Sequence, residues 1–130
     1  MAAALLCVLP LGSCKEDAGS DEMVYIKTST MYDTLYDMYS YPEEYLGGMY
    51  HMVGELYAYE DEESGEMIYS VYCEQDGAGL GLELDWSNDA GIAVGEAITV
   101  EGRLEQDSGF HHGETVEFLV LRVTMLEQRQ

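Results

Sequence analysis

The run Gly79-Leu80-Gly81-Leu82-Glu83-Leu84-Asp85-Trp86 constrains the chain more than any other feature, because its apolar residues recur at every second position. A helix of this sequence would scatter them around its circumference. A strand gathers Leu80, Leu82, Leu84 and Trp86 on one face and leaves Gly79, Gly81, Glu83 and Asp85 on the other.

Three further segments share that period, and a fourth strand follows them. From Met49, the residues Tyr50, Met52, Gly54 and Leu56 alternate with His51, Val53, Glu55 and Tyr57. After the polar turn Glu60–Glu66, a second strand places Met67, Tyr69, Val71 and Cys73 on one face and Ile68, Ser70 and Tyr72 on the other. A later strand turns Ile98, Val100, Gly102 and Leu104 inward and Thr99, Glu101, Arg103 and Glu105 outward, and a last one spans Thr115–Leu126.

Val53-Gly54-Glu55-Leu56 and Glu101-Gly102-Arg103-Leu104 echo each other, each with a glycine inside a strand, where it marks a bulge or a sharp coil. Before the strands, Val24–Thr28 reads as a short extended piece. Thr30 is placed to N-cap a helix over Met31–Tyr39 whose Met31, Leu35 and Met38 share a face. Pro42 then opens a single turn that ends at Gly47-Gly48. Five strands, two coiling points and no long crossover helix predict an all-β domain with a short N-terminal helix, closed as a five-stranded OB-fold-like barrel.

The chain has 130 residues, enough for one core. Its 26 acidic and 5 basic residues give a formal charge of −21. Lys15, Lys27, Arg103, Arg122 and Arg129 are too scattered to make a phosphate-binding patch, so nucleic acid is excluded as an expected partner. Eleven Tyr and eight Met supply apolar surface, and the domain is expected to fold despite its charge.

Ala2–Leu11 carries no charge and is shorter than the roughly 20 residues a membrane helix needs. It reads as the apolar part of a signal segment over residues 1–13. No Lys or Arg lies between Met1 and Ala4, so this segment is expected to be truncated at its start. Leu11-Gly12-Ser13-Cys14 resembles a lipobox, the bacterial lipoprotein pattern in which the cysteine becomes the acylated mature N-terminus. Cys14 is then the lipid attachment, residues 14–23 include a flexible tether, and residues 24–130 form the domain, outside the cytoplasm and held to the cell membrane. Cys7 is lost with the signal and Cys73 remains as the free thiol.

Tyr41-Pro42-Glu43-Glu44-Tyr45-Leu46-Gly47, the Gly54 strand, Cys73, Leu80-Gly81-Leu82 and Val100-Glu101-Gly102 occur in an order that resembles an uncharacterised family. These are putative bacterial membrane proteins, encoded beside predicted permeases, with an OB-like C-terminal domain. The likeness covers roughly residues 31–127 and implies the fold. Family members carry paired cysteines in the second strand and transmembrane helices upstream. Here Glu74 follows Cys73 and a lipobox stands in place of helices.

Candidate site residues fall into two groups. Gln106–Glu114 reads as a loop between the last two strands, and Phe110, His111 and His112 on it are candidates for binding. His111 and His112 also support an alternative reading, a zinc- or copper-handling lipoprotein, with Asp107 or Glu114 completing the ligands. Tyr57 and Tyr72, with Tyr59, Tyr69 and Trp86, lie on the first three strands and offer a stacking platform for a protein, peptide or sugar.

Cys73 falls on the inward face, where a thiol packs as a small hydrophobe. Glu60–Glu66 lacks the alternating ligands and central glycine of a calcium loop. There is no Ser-His-Asp ordering, phosphate loop or HExxH spacing, so no enzyme and no cofactor are expected. The predicted function is a non-catalytic, surface-anchored module that binds a protein partner or an envelope component.

Overall fold

The structure, a computed structural model, describes residues 21–111 and 113–129, with the backbone alone at 110 and 111. Cys14, the signal segment, most of the tether and His112 lie outside the described residues.

The strands of the barrel are β2 (Met49–Glu60), β3 (Met67–Gln75), β4 (Ala78–Asp85), β5 (Ala97–His111) and β6 (Glu114–Gln128). A short β1 (Met23–Tyr25) precedes them and adds in parallel to the start of β2. Antiparallel ladders join β2 to β3, β3 to β4, β5 to β6 and β2 to β5. A short parallel ladder, Glu83↔Val120 to Asp85↔Arg122, joins β4 to β6 and closes the cylinder. The order β2-β3-β4-β6-β5, returning to β2, is OB-fold connectivity.

Closure depends on two strands changing partners. Residues 49–55 of β2 pair with β5 and residues 55–60 pair with β3, and Gly54 sits at the changeover. In β5 the irregularity falls between Glu101 and Gly102, where the ladder with β6 shifts register. A β-carbon at Gly54 would lie 2.7 Å from the Tyr72 carbonyl oxygen, so the strands approach there more closely than a side chain allows. Both glycines have the role their sequence positions predict.

The core is the inward half of each alternating strand. Met52, Leu56, Val71, Leu82, Ile98, Val100, Leu104 and Leu121 are all 0–1 % exposed. Helix α1 (Met31–Ser40) supplies Met31, Leu35 and Met38 to the same cluster and packs on β3 and β4. The helix stops at Tyr41 because the following Pro42 disfavours helical backbone there. A single 3₁₀ turn, Pro42–Glu44, and Gly47 at φ 88° return the chain to β2.

Two local expectations change. Thr30 stands at the N-cap position but does not cap α1, since its hydroxyl donates instead to the Lys27 carbonyl at 3.2 Å. The loop expected over Gln106–Glu114 is mostly strand, with β5 running to His111 and β6 resuming at Glu114. Glu114–Glu117 on β6 are all exposed and Gln106–Gly109 on β5 are polar residues and glycine, so this part of the ladder carries no apolar alternation to read.

Candidate functional site

The pleat lines up Tyr57 on β2, Ser70 on β3 and Glu83 on β4 as directly paired neighbours on the outer face. Tyr72 and Gly81 form the adjacent pair. The rings of Tyr57 and Tyr72 stack diagonally across the strands, with centroids 5.4 Å apart and planes 29° apart. Gly79 makes this possible, because the Tyr72 ring occupies the space a β-carbon at Gly79 would fill. The Tyr72 hydroxyl donates to Glu74 at 3.1 Å.

Tyr39, from the last turn of α1, reaches the same place and donates its hydroxyl to the Gly81 carbonyl at 2.6 Å. With Tyr59 and with Phe118 and Leu119 of β6, these residues line an open cleft of about 300 Å³ with Ser70, Gly81 and Glu83 also in its lining. Tyr39, Tyr57 and Tyr59 remain 45 %, 46 % and 49 % exposed, so about half of each side chain is available to a ligand. Ser70 is only 9 % exposed, yet its hydroxyl has no hydrogen-bond partner among the described residues.

Glu83 is the charge of the cleft. Among the described residues no hydrogen bond or salt bridge reaches its carboxylate. Burial pushes its pKa above the usual carboxylate range; Asp107, Asp85 and Asp61 push it further up, and Arg122 opposes them. Burial and the charge of Glu83 in turn raise the hydroxyl pKa values of Tyr39 and Tyr59. Arg122 is already committed, donating to Glu105 at 2.8 Å, Asp107 at 3.0 Å and Asp85 at 3.1 Å.

This arrangement predicts a stability effect. A carboxyl whose pKa is higher folded than unfolded binds its proton more tightly in the fold, so its cost to stability is complete above the folded pKa. That cost fades as pH falls through the folded value toward the unfolded one. Glu83→Gln should therefore raise the melting temperature at pH 7 by a few degrees, with a smaller gain in acid. A lowered melting temperature at pH 7 would show that the carboxylate is satisfied.

No protein-family model matches the chain, and no curated protein matches it in sequence. Among solved structures it is similar to the small single-stranded DNA-binding protein from Streptomyces coelicolor, at 15 % identity and a TM-score of 0.43. The match covers 62 % of this chain and 93 % of that one. Connectivity establishes the OB fold, and the likeness adds nothing beyond fold. The exclusion of nucleic acid drawn from charge does not hold for an OB fold and is withdrawn. The physical reason is that OB faces also hold bases by stacking on aromatic rings, a contact on which net charge has little bearing.

Of the residues singled out in the sequence, Tyr57 and Tyr72 meet in the cleft. Tyr69 does not, because it points inward and packs edge-on against Trp86 at 5.3 Å. Phe110 and His111 belong to the end of β5, paired in backbone register with Thr115 and Glu114. That is five residues beyond Glu105, which shares Val120 with Glu83, or roughly 17 Å along the strand. Among the described residues no three His, Cys, Asp or Glu side chains gather to hold a metal. Cys73 packs against the core, and burial raises its thiol pKa.

Sequence reasoning missed Tyr39, Ser70, Glu83 and Phe118 as site residues. The alternation had put Ser70 and Glu83 on the outer face, and that was the available signal. The helical period sets Tyr39 four residues after Leu35, on the flank of the Met31-Leu35-Met38 stripe, but does not say that it reaches a cleft on the barrel's outer face.

Proposed function

We propose that this chain is a non-catalytic OB-fold binding module, tethered at the cell surface, that takes a protein partner or an envelope component on the outer face of β2–β4. The observation that carries this reading is the cleft, in which half-exposed Tyr39, Tyr57 and Tyr59 and the more buried Tyr72 surround a serine hydroxyl and a carboxylate that have no hydrogen-bond partner among the described residues. Rings, one hydroxyl and one carboxylate are recognition chemistry.

The test is site-specific photo-crosslinking in cells, with the reactive side chain at Tyr57 or Tyr59. Partner adducts should form from these positions and be lost when Tyr72 is changed to Ala.

The tether belongs to the same proposal. Leu11-Gly12-Ser13-Cys14 supports acylation at Cys14, and among the described residues no helix is long and apolar enough to cross a membrane. Cys14→Ala should move the protein from the membrane to the soluble fraction and remove the acyl mass from residue 14. Unchanged membrane retention without acyl mass in the wild type would contradict the anchor.

A further inference from the structure

We propose that the tyrosine cleft is a receptor for a cationic side chain, and that the ligand of this face is a lysine- or arginine-rich polypeptide segment. This rests on the reading of the β2–β4 face as the ligand face and adds the chemistry of the ligand.

Three observations converge on a cation. First, the rings of Tyr39, Tyr57, Tyr59 and Tyr72 line one cleft, and tyrosine faces attract a positive charge held within about 6 Å of their centroids. Second, Glu83 lines that cleft with no hydrogen bond or salt bridge to its carboxylate among the described residues, although it is partly buried. An ammonium or guanidinium group seated over it would supply the missing partner, and the Ser70 hydroxyl beside it could accept a further hydrogen bond.

Third, the field around the cleft is negative. Asp61, Asp85 and Asp107 act on Glu83, while Arg122, the cation acting on it, is held by three other carboxylates. A neutral ligand would leave that field uncompensated. An incoming cation is drawn by it, and the chain's charge of −21 extends the attraction outward.

The test uses the full chain at physiological salt, with tyrosine resonances followed by NMR and affinity measured by anisotropy. The probes are an end-blocked peptide of alternating lysine and glycine, the same peptide with every lysine acetylated, and oligothymidylate. The lysine peptide should bind and shift the resonances of Tyr39, Tyr57, Tyr59 and Tyr72, and its acetylated form should not.

Glu83→Gln, which keeps the side chain's shape, should weaken the lysine peptide by about tenfold, whereas Glu127→Gln on the exposed end of β6 should change it by less than about twofold. Gly79→Ala, which pushes the Tyr72 ring from its place without touching Glu83, should also weaken it. Equal losses from Glu83→Gln and Glu127→Gln, binding of the acetylated peptide, or binding that leaves these tyrosines unmoved would each overturn the inference. Oligothymidylate shifting the four tyrosines when the lysine peptide does not would also overturn it, while leaving the ligand-face reading intact. That reading falls separately, if cellular crosslinks arise from another face.

Discussion

Gly102→Ala should strongly destabilise the domain, although it adds only one methyl group. The added carbon would collide with the carbonyl oxygen of Arg122 and lie 2.9 Å from its carbonyl carbon and 3.0 Å from Leu121 Cγ. Two of these atoms are backbone of β6 and cannot rotate away. The collision falls at the register shift where β5 passes between its two neighbours, so relief requires opening one of the ladders that close the barrel. A cost of about 4 kcal/mol or more is expected, against a typical domain stability of roughly 5–15 kcal/mol. Gly54→Ala, facing the Tyr72 carbonyl and Val71, should follow in the same direction. Gly109→Ala is the control, since its added carbon meets Phe118 at an ordinary 3.5 Å. Circular dichroism and thermal melts decide the matter, and wild-type melting of Gly102→Ala would rule out the close approach.

Leu35→Ala should cost roughly 2–5 kcal/mol, the range for emptying a buried leucine site. Leu35 is 0 % exposed and stands between Met31 and Met38 on the stripe that α1 inserts into the barrel core. The surrounding groups belong to strands fixed by their ladders, so the cavity has little freedom to collapse. One residue along the helix, Tyr36 is 61 % exposed, and Tyr36→Ala should stay within about 0.5 kcal/mol. Urea unfolding measures both, and similar midpoints for the two variants would show that α1 is not part of the core.

These predictions rest on the part of the fold most legible in the sequence. Alternation found the first four barrel strands because one face of each is buried, whereas β6 buries Leu119, Val120 and Leu121 in succession and shows no such period; glycine marked the coils at Gly54 and Gly102 because a strand interior has few other uses for it. Legibility ended where that physical cause ended. Beyond Asp107 the hairpin sets Ser108 and Gly109 against the exposed Glu117 and Val116, so Asp107-Ser108-Gly109 looked like a loop although it is paired throughout. Thr30 has the right residue type for a cap, but a hydroxyl can donate backward as easily as accept, and here it bonds Lys27.

The site was half legible for a related reason. Tyr57 and Tyr72 follow from strand parity, and their contact follows from the register of neighbouring strands. Tyr39 enters the cleft from a helix whose position on the barrel is set by tertiary packing, which no local pattern records. Phe118 depends on the parallel ladder between β4 and β6, a pairing between segments more than thirty residues apart. The charge argument shows the opposite failure. Net charge is plain in any sequence, but it describes the whole surface rather than one aromatic face, and it was too coarse to exclude a class of partner.

The central claim is that partners meet this protein on the tyrosine face of β2–β4. Photo-crosslinking from Tyr57 and Tyr59, compared in the same cells with Thr124, exposed on β6 beyond its pairing with β4, tests it most directly. Adducts from both tyrosine positions and none from Thr124 are the predicted result. Adducts from Thr124 with none from Tyr57 or Tyr59 would contradict it.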